Sequence, residues 1–290
     1  MIYRVTHRTV YKYAAPVTVS YHAARLQPRA DPGQSCETFS LGIKPEPALR
    51  ASRRDYFGNE VCVFSVQEIH ARLEITATST VRIGGAPAPA PGLSPPWEEV
   101  AELFRETAPT AYLDAYQFIF DSPQIRCSPE LAGFARDCFS RNQPLLAGVS
   151  ELNHRIYTTF QYDSGATTVA TPLEEVFRNR RGVCQDFAHL AIAGLRSLGL
   201  PARYVSGYLR TRPPEGKARL MGADASHAWF SVFSPGFGWV DFDPTNDLMP
   251  EREHIALACG RDFSDVSPVS GMIVGGGEHE VLVGVEVLPI

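Results

Sequence analysis

The sequence predicts an α+β chain in which an antiparallel β domain, residues 1–83, precedes a larger helix-and-strand domain, residues 97–290. Three observations predict it: period-two hydropathy at the start of the chain, a proline-rich break at 84–96, and one amphipathic helix followed by aromatic strand-like runs. With 290 residues, 44% hydrophobic and 20% charged, there is apolar material for one large core or two ordinary ones, which excludes disorder as the main state.

The first domain rests on alternation. Tyr3, Val5, Tyr11 and Tyr13 fall on one parity and Arg4, Thr6, Arg8 and Lys12 on the other; over 71–83, Leu73, Ile75, Ala77, Val81 and Ile83 oppose Arg72, Glu74, Thr76, Thr78, Thr80 and Arg82. Strands of this kind form a half-buried sheet. Asp55-Tyr56-Phe57-Gly58-Asn59 supplies turn residues ahead of the apolar run Val61–Phe64. The segment 84–96 alternates Pro with Ala and Gly, cannot donate ladder hydrogen bonds at its prolines, and is predicted to be an extended linker.

Helical periodicity begins at Trp97 and recurs near 129–141 and 145–160, with Ser128-Pro129 as an N-cap and N1 pair. A further helix is marked by Phe187, Leu190, Ala191, Gly194, Leu195 and Leu198 on one stripe, stopped at Gly199 before Pro201. Strands are predicted near 202–209, 227–233 and 239–243, and Val281, Val283, Val285 and Val287 share a parity in a last strand. Gly275-Gly276-Gly277 lacks the Lys-Ser/Thr and the helix that a phosphate loop needs, and is predicted to be a hairpin turn before that strand.

Charge narrows the function classes. Lys+Arg 27 against Asp+Glu 32 gives −5, no basic excess for phosphates or anionic lipid, so neither a nucleic-acid nor a membrane partner is expected. No long apolar run and no secretory layout at the start appear, and a cytoplasmic protein is expected. Six scattered cysteines without a CxxC suggest neither a disulfide framework nor a zinc knuckle.

The chemistry concentrates at Cys184 and a later hairpin. Cys184 falls in the first turn of the helix that carries Phe187, where unpaired backbone N–H groups and the macrodipole favour a thiolate. A free cysteine alone is most often a small core residue. The second element decides: Ser226–Phe233 and Trp239–Thr245 flank Ser234-Pro235-Gly236-Phe237-Gly238, a hairpin in which centring the turn on Pro235 sets His227 opposite Asp243, with Asp241 as the alternative partner. A base and its orienter would then lie across two strands. His189 is five residues beyond Cys184, roughly 140° around the helix at 100° per residue, so one metal ion could not readily take both and a packed or surface histidine is expected. The basic cluster Arg178, Arg180 and Arg181 is read as a solvated edge.

These residues resemble the transglutaminase-like superfamily, in its bacterial form with a β-rich N-terminal domain ahead of a papain-like core. The resemblance is carried by Arg181-Gly182-Val183-Cys184-Gln185-Asp186-Phe187-Ala188-His189-Leu190, Gly199–Tyr208, His227-Ala228-Trp229 and Gly238–Asn246, with Asp55–Asn59 and Gly260-Arg261-Asp262 outside them, and spans most of the chain. It implies a triad of Cys184, His227 and Asp243 acting on peptide or glutamine amides through a thioester, without separating hydrolysis from transfer; with no evident channel for a second substrate, a peptidase or amidase is expected. The alternatives are a protein-glutamine γ-glutamyltransferase with an amine acceptor, and a non-catalytic peptide-binding shell. It further implies an oxyanion donor at Gln161 or Tyr162, a peptide or protein substrate as partner, and neither a metal nor a cofactor. For Trp229 and Tyr208 packing is the default reading, with cleft wall and substrate groove as their functional alternatives.

Overall fold

A computed structural model describes residues 1–85, 87–106, 110–211 and 225–290. The α+β expectation holds: a large antiparallel sheet and a helical core with its own antiparallel sheet. Strands β1 (Ile2–Ala24), β2 (Gln34–Lys44), β3 (Leu49–Arg54), β4 (Glu60–Val66) and β5 (His70–Ile83) form the first unit in the order β2-β5-β1-β4-β3. Alternation in β5 does what the pattern predicted, burying Leu73, Ile75, Ala77, Val81 and Ile83 while the even-numbered Thr and Arg face outward.

After the predicted linker come α1 (Trp97–Glu106), α2 (Leu113–Tyr116), α3 (Pro129–Arg136), α4 (Leu145–Thr159), the two-residue β6 (Gln161–Tyr162), α5 (Leu173–Asn179), the two-residue β7 (Arg181–Gly182) and α6 (Cys184–Ser197). The linker's end is anchored: Leu145 N–H donates to the Pro95 carbonyl and Leu146 N–H to Ser94 Oγ, both at the start of α4. The second sheet follows, with β8 (Ala202–Leu209), β9 (Ala225–Ser234), β10 (Gly238–Phe242) and β11 (His254–Gly260) in the order β10-β9-β8-β11. α6 packs on this sheet and against α3, so Phe187, Leu190, Ala191 and Leu195 are buried in the principal core with Leu131, Leu152, Phe230 and Phe242.

The C-terminal strands correct the domain boundary. The short helix α7 (Phe263–Val266) leads into β12 (Val269–Gly275) and β13 (His279–Pro289), which pair with β1 and so belong to the first sheet rather than to the second domain. Nor do Gly275–Gly277 make a hairpin. β12 lies along residues 17–24 of β1 and β13 along residues 3–13, both antiparallel, with a one-residue register shift between Val17 and Val19, so the triglycine is a kink opposite Ala14-Ala15-Pro16. The parity argument fails for the same reason: Val285 and Val287 are buried between the two sheets, whereas Val281 and Val283 lie beyond that contact and are exposed.

The two sheets meet through Tyr3, Val5, Val81, Ile83, Val285 and Val287 on one side and Tyr208, Ile255 and Leu257 on the other. Edge strand β11 is covered by side-chain amides in place of a neighbouring strand. Gln34 accepts from Ala256 N–H and donates to its carbonyl, both at 2.8 Å; Asn59 does the same for Cys259 at 2.9 Å. This explains the Asp55–Asn59 turn: Asp55 Oδ1 accepts the N–H of Phe57 and Asn59, which aims the Asn59 amide at β11. Asn59→Ala is expected to destabilise the chain by about 1–3 kcal/mol, since it strands a buried N–H and C=O of Cys259. Urea unfolding checks this, and an unchanged midpoint would refute it.

Candidate active site

α6 begins at Cys184, after Val183 as the extended N-cap residue. Asp186 reaches back from the third helical position to accept the Val183 N–H at 2.8 Å and the Thr167 hydroxyl at 2.6 Å, pinning the turn that presents the sulfur. Burial raises the pKa of that carboxyl. Gly182 is required by closeness, because a Cβ there would lie 2.7 Å from Asp186 Oδ2. Cys184 itself stays partly accessible, as do Cys36 and Cys127, while Cys62, Cys138 and Cys259 are buried; all six are free thiols.

β9 carries His227 to the same place. Its Nε2 lies 2.7 Å from Asp243 Oδ2, both groups buried. A carboxylate only accepts, so Nε2 bears the hydrogen and Nδ1 is the nitrogen left for Cys184. Burial pulls the His227 pKa down, but hydrogen bonds to Asp243 and Cys184 and their negative charge prevail and raise it to about 10. Burial likewise opposes ionisation of Asp243, yet donation from His227, His254 and Asn246 holds the carboxyl well below the usual range.

The hairpin register differs from the expectation. Gly238 pairs with Ser234 and Phe242 with Phe230, so the turn centres on Gly236 and Trp229, not His227, stands opposite position 243. His227 still meets Asp243 because β10 ends at Phe242 and Asp243 bends away to bridge Leu248, giving a diagonal contact. Asp241, the alternative, is engaged elsewhere: Trp229 Nε1 donates to it at 3.0 Å and Ser231 Oγ also donates.

Residues 3–82 match the bacterial transglutaminase-like N-terminal region, and residues 132–244 match the transglutaminase-like superfamily. The chain belongs to the transglutaminase-like superfamily. An uncharacterised protein of Mycobacterium tuberculosis is 43% identical over 294 residues, covering 99% of this chain and 92% of that protein. A protein-glutamine gamma-glutamyltransferase of Pseudomonas aeruginosa is 33% identical over 126 residues, 42% of this chain and 18% of its own length. Among solved structures, a candidate cysteine protease of Cytophaga hutchinsonii superimposes with a TM-score of 0.74 at 24% identity, over 100% of this chain and 91% of that one; at this identity the likeness concerns the fold.

Within this transglutaminase-like core the proposed cleft positions separate. Tyr162 is half exposed and faces Cys184, whose charge, after burial, raises the phenol's pKa. Gln161 N–H donates to the Arg180 carbonyl and Asp163 N–H to that of Gly182; alternate residues donate in a parallel ladder, so the N–H of Tyr162 points the other way and that of Gln161 is spent. Tyr208 does not line a groove: 1% exposed, it packs between the two sheets against Tyr3 and Ile255. Trp229 is equally buried and lies behind the site, its ring 6.1 Å from that of His227 and pressed against Gly207, where a Cβ would meet the indole at 2.5 Å. β8 is buried on both faces, so parity could not tell inside from cleft.

His189 is packed, accepting the Phe263 N–H at Nε2. Arg180 is a left-handed C-cap laid over Phe160 and Phe177 rather than a solvated edge. Gly260-Arg261-Asp262 is structural: Asp262 caps α7 and accepts the Gln124 N–H, and Arg261 pairs with Asp265. One polar residue was missed altogether. His254, on β11, sets its Nε2 2.9 Å from Asp243 Oδ2. His227, Asp243 and His254 thus offer three ligand atoms within 4.8 Å of one another. The spacings are those of hydrogen bonds, and the Asn246 amide donates to the same oxygen at 2.7 Å, so the carboxylate is already filled by N–H donors and the cluster does not fit a metal. Among the described residues no helix is long and apolar enough to cross a membrane.

Proposed function

We propose that the chain is a thiol enzyme of acyl transfer acting on peptide or glutamine side-chain amides, with Cys184, His227 and Asp243 as its catalytic residues. The observation that carries this reading is the convergence at one point of a helix-terminal cysteine and a buried imidazole already hydrogen-bonded to a buried carboxylate. Cys184 gives its proton to His227 Nδ1 and attacks the amide carbonyl as thiolate. The C–N bond breaks as His227 returns the proton to the leaving nitrogen, and a thioester remains. Water or an amine then adds to the thioester carbonyl, passing a proton to His227, and Cys184 leaves as the acyl–sulfur bond breaks. The backbone N–H of Cys184 and that of Tyr162 are the donors for the oxyanion, each worth about 2.7–4 kcal/mol in hydrolases generally.

Hydrolysis by water, as a peptidase or amidase, is the first form of the proposal. Transfer to an amine is the second, favoured by the Pseudomonas relative named for γ-glutamyl transfer. Mass spectrometry of peptides incubated with the protein, with and without a primary amine, separates them: a cleaved backbone marks peptidase action, a one-dalton gain on Gln marks deamidation, and added amine mass marks transfer. No change in any peptide set would refute the enzyme reading.

A reactivity test needs no substrate. Iodoacetamide at pH 6 is expected to label Cys184 at least tenfold faster than Cys36 or Cys127, whose thiols burial pushes up, or Cys259, which is buried and pushed up likewise. Equal rates would remove the activated thiol.

A further inference from the structure

The Asp243 carboxylate is fully buried and accepts five hydrogen bonds. Oδ1 takes the backbone N–H of Thr245 at 2.9 Å and of Asn246 at 3.3 Å. Oδ2 takes three side-chain donors: His227 Nε2 at 2.7 Å, Asn246 Nδ2 at 2.7 Å and His254 Nε2 at 2.9 Å. The last arrives from a different strand, and its ring is fixed edge-on to Trp229 at 5.2 Å and 5.7 Å from the ring of His227. Two imidazoles therefore share one carboxylate oxygen.

Sharing has a chemical consequence. Electron density that Oδ2 commits to one donor is withdrawn from the other, so each added donor lowers the basicity that His227 meets. In a fully buried site a carboxylate with a single imidazole partner would bind the imidazolium too firmly, and an imidazolium so held is a poor acid toward a leaving amine. We infer that His254 is a positioning residue of the triad: through Oδ2 it keeps Asp243 ionised and turned toward His227 while loosening its hold, so that the His227 proton can be delivered. His254 keeps its own Nε2–H throughout and touches no reacting atom.

The inference rests on the proposed triad. The described titratable groups facing His227 are Cys184 from α6, Asp243 beyond β10 and His254 from β11; Asp241 is turned to Trp229 and Ser231, and Tyr162 faces Cys184. The test is the pH profile of Cys184 alkylation in the full chain, followed by peptide mapping, for the wild type, His254→Phe, which removes the donor, and His254→Gln, whose amide can replace it. In the wild type the reactivity of the sulfur changes at high pH where the imidazolium loses its proton. In His254→Phe that transition is expected to rise by about one pH unit, and kcat on a responsive peptide to fall about tenfold with KM unchanged. In His254→Gln both return toward wild type. Should His254→Phe not fold, His254→Asn, polar but too short to reach Oδ2, takes its place with the same expectation.

A folded His254→Phe or His254→Asn protein with an unmoved transition overturns the inference, as does a shift that His254→Gln fails to reverse. Failure of the triad reading is separable, because it appears in the wild type as a Cys184 no faster than Cys36.

Discussion

Cys184→Ala is expected to lower turnover about 10,000-fold or more while leaving the protein folded. The side chain is only partly buried at the rim of the principal core, and its removal takes away one sulfur atom without stranding a buried partner other than His227. The melting temperature should therefore stay within about 4 °C of wild type, the shift that roughly 1 kcal/mol produces in a chain of this size class. A second readout ties the loss to the geometry. Part of what raises His227 is the sulfur's hydrogen bond and charge, so its imidazolium should deprotonate at lower pH in the variant, followed by NMR of the ring protons. Unaltered turnover on a peptide that the wild type processes would remove Cys184 as the nucleophile.

Asp243→Asn is expected to cost kcat about 10,000-fold by freeing His227 to take the wrong tautomer. The amide cannot serve both sides: with its NH2 at the Oδ2 position it donates to His227 Nε2, forcing the hydrogen to Nδ1, and opposes the donors of His254 and Asn246, whereas turned round it sets its NH2 against the N–H groups of Thr245 and Asn246. A loss of about 1–3 kcal/mol in stability accompanies the kinetic defect. Asp241→Asn is the control: it disturbs Trp229 and Ser231, touches no group of the proposed triad, and should retain kcat within about tenfold. If Asp241→Asn proved the crippling change, the carboxylate assignment would be reversed.

The same pair makes a signed pH prediction. Asp243 is depressed in the folded state, so its contribution is present above its ordinary value of 3.8 and lost as pH falls below it. His227 is raised from 6.5 to about 10, so its contribution is full below pH 6.5 and lost as pH rises through 10. The stability advantage of wild type over Asp243→Asn should thus be largest between about pH 4 and 6.5 and shrink toward pH 10, measured by denaturant titration across that range. An advantage that grew with alkalinity would contradict the pairing.

Where a hydropathy period is written into the chain the element could be read: β5 and α6 lie where alternation and the Leu stripe placed them. The site was legible at Cys184 because helix termini have a residue-level signature. The expected hairpin register is two residues off in its pairing, yet His227 still contacts Asp243, because a two-residue slip preserves the face and Asp243 leaves the ladder to reach back. His254 left no trace, since nothing local in Glu251–Ile255 says that β11 will lie beside β8 across the sheet from β9. Nor did the valines of the last strand disclose that their partner is the chain's own beginning, because parity identifies a face and not a neighbour.

That distant partnership bears on how the polypeptide is made. β1 is made before β12 and β13, so one flank of it, along residues 3–13 and 17–24, stays bare until residues 269–289 have been synthesised. An open edge of such length invites wrong partners over that interval, so β1 is where a nascent-chain holdase would be most needed.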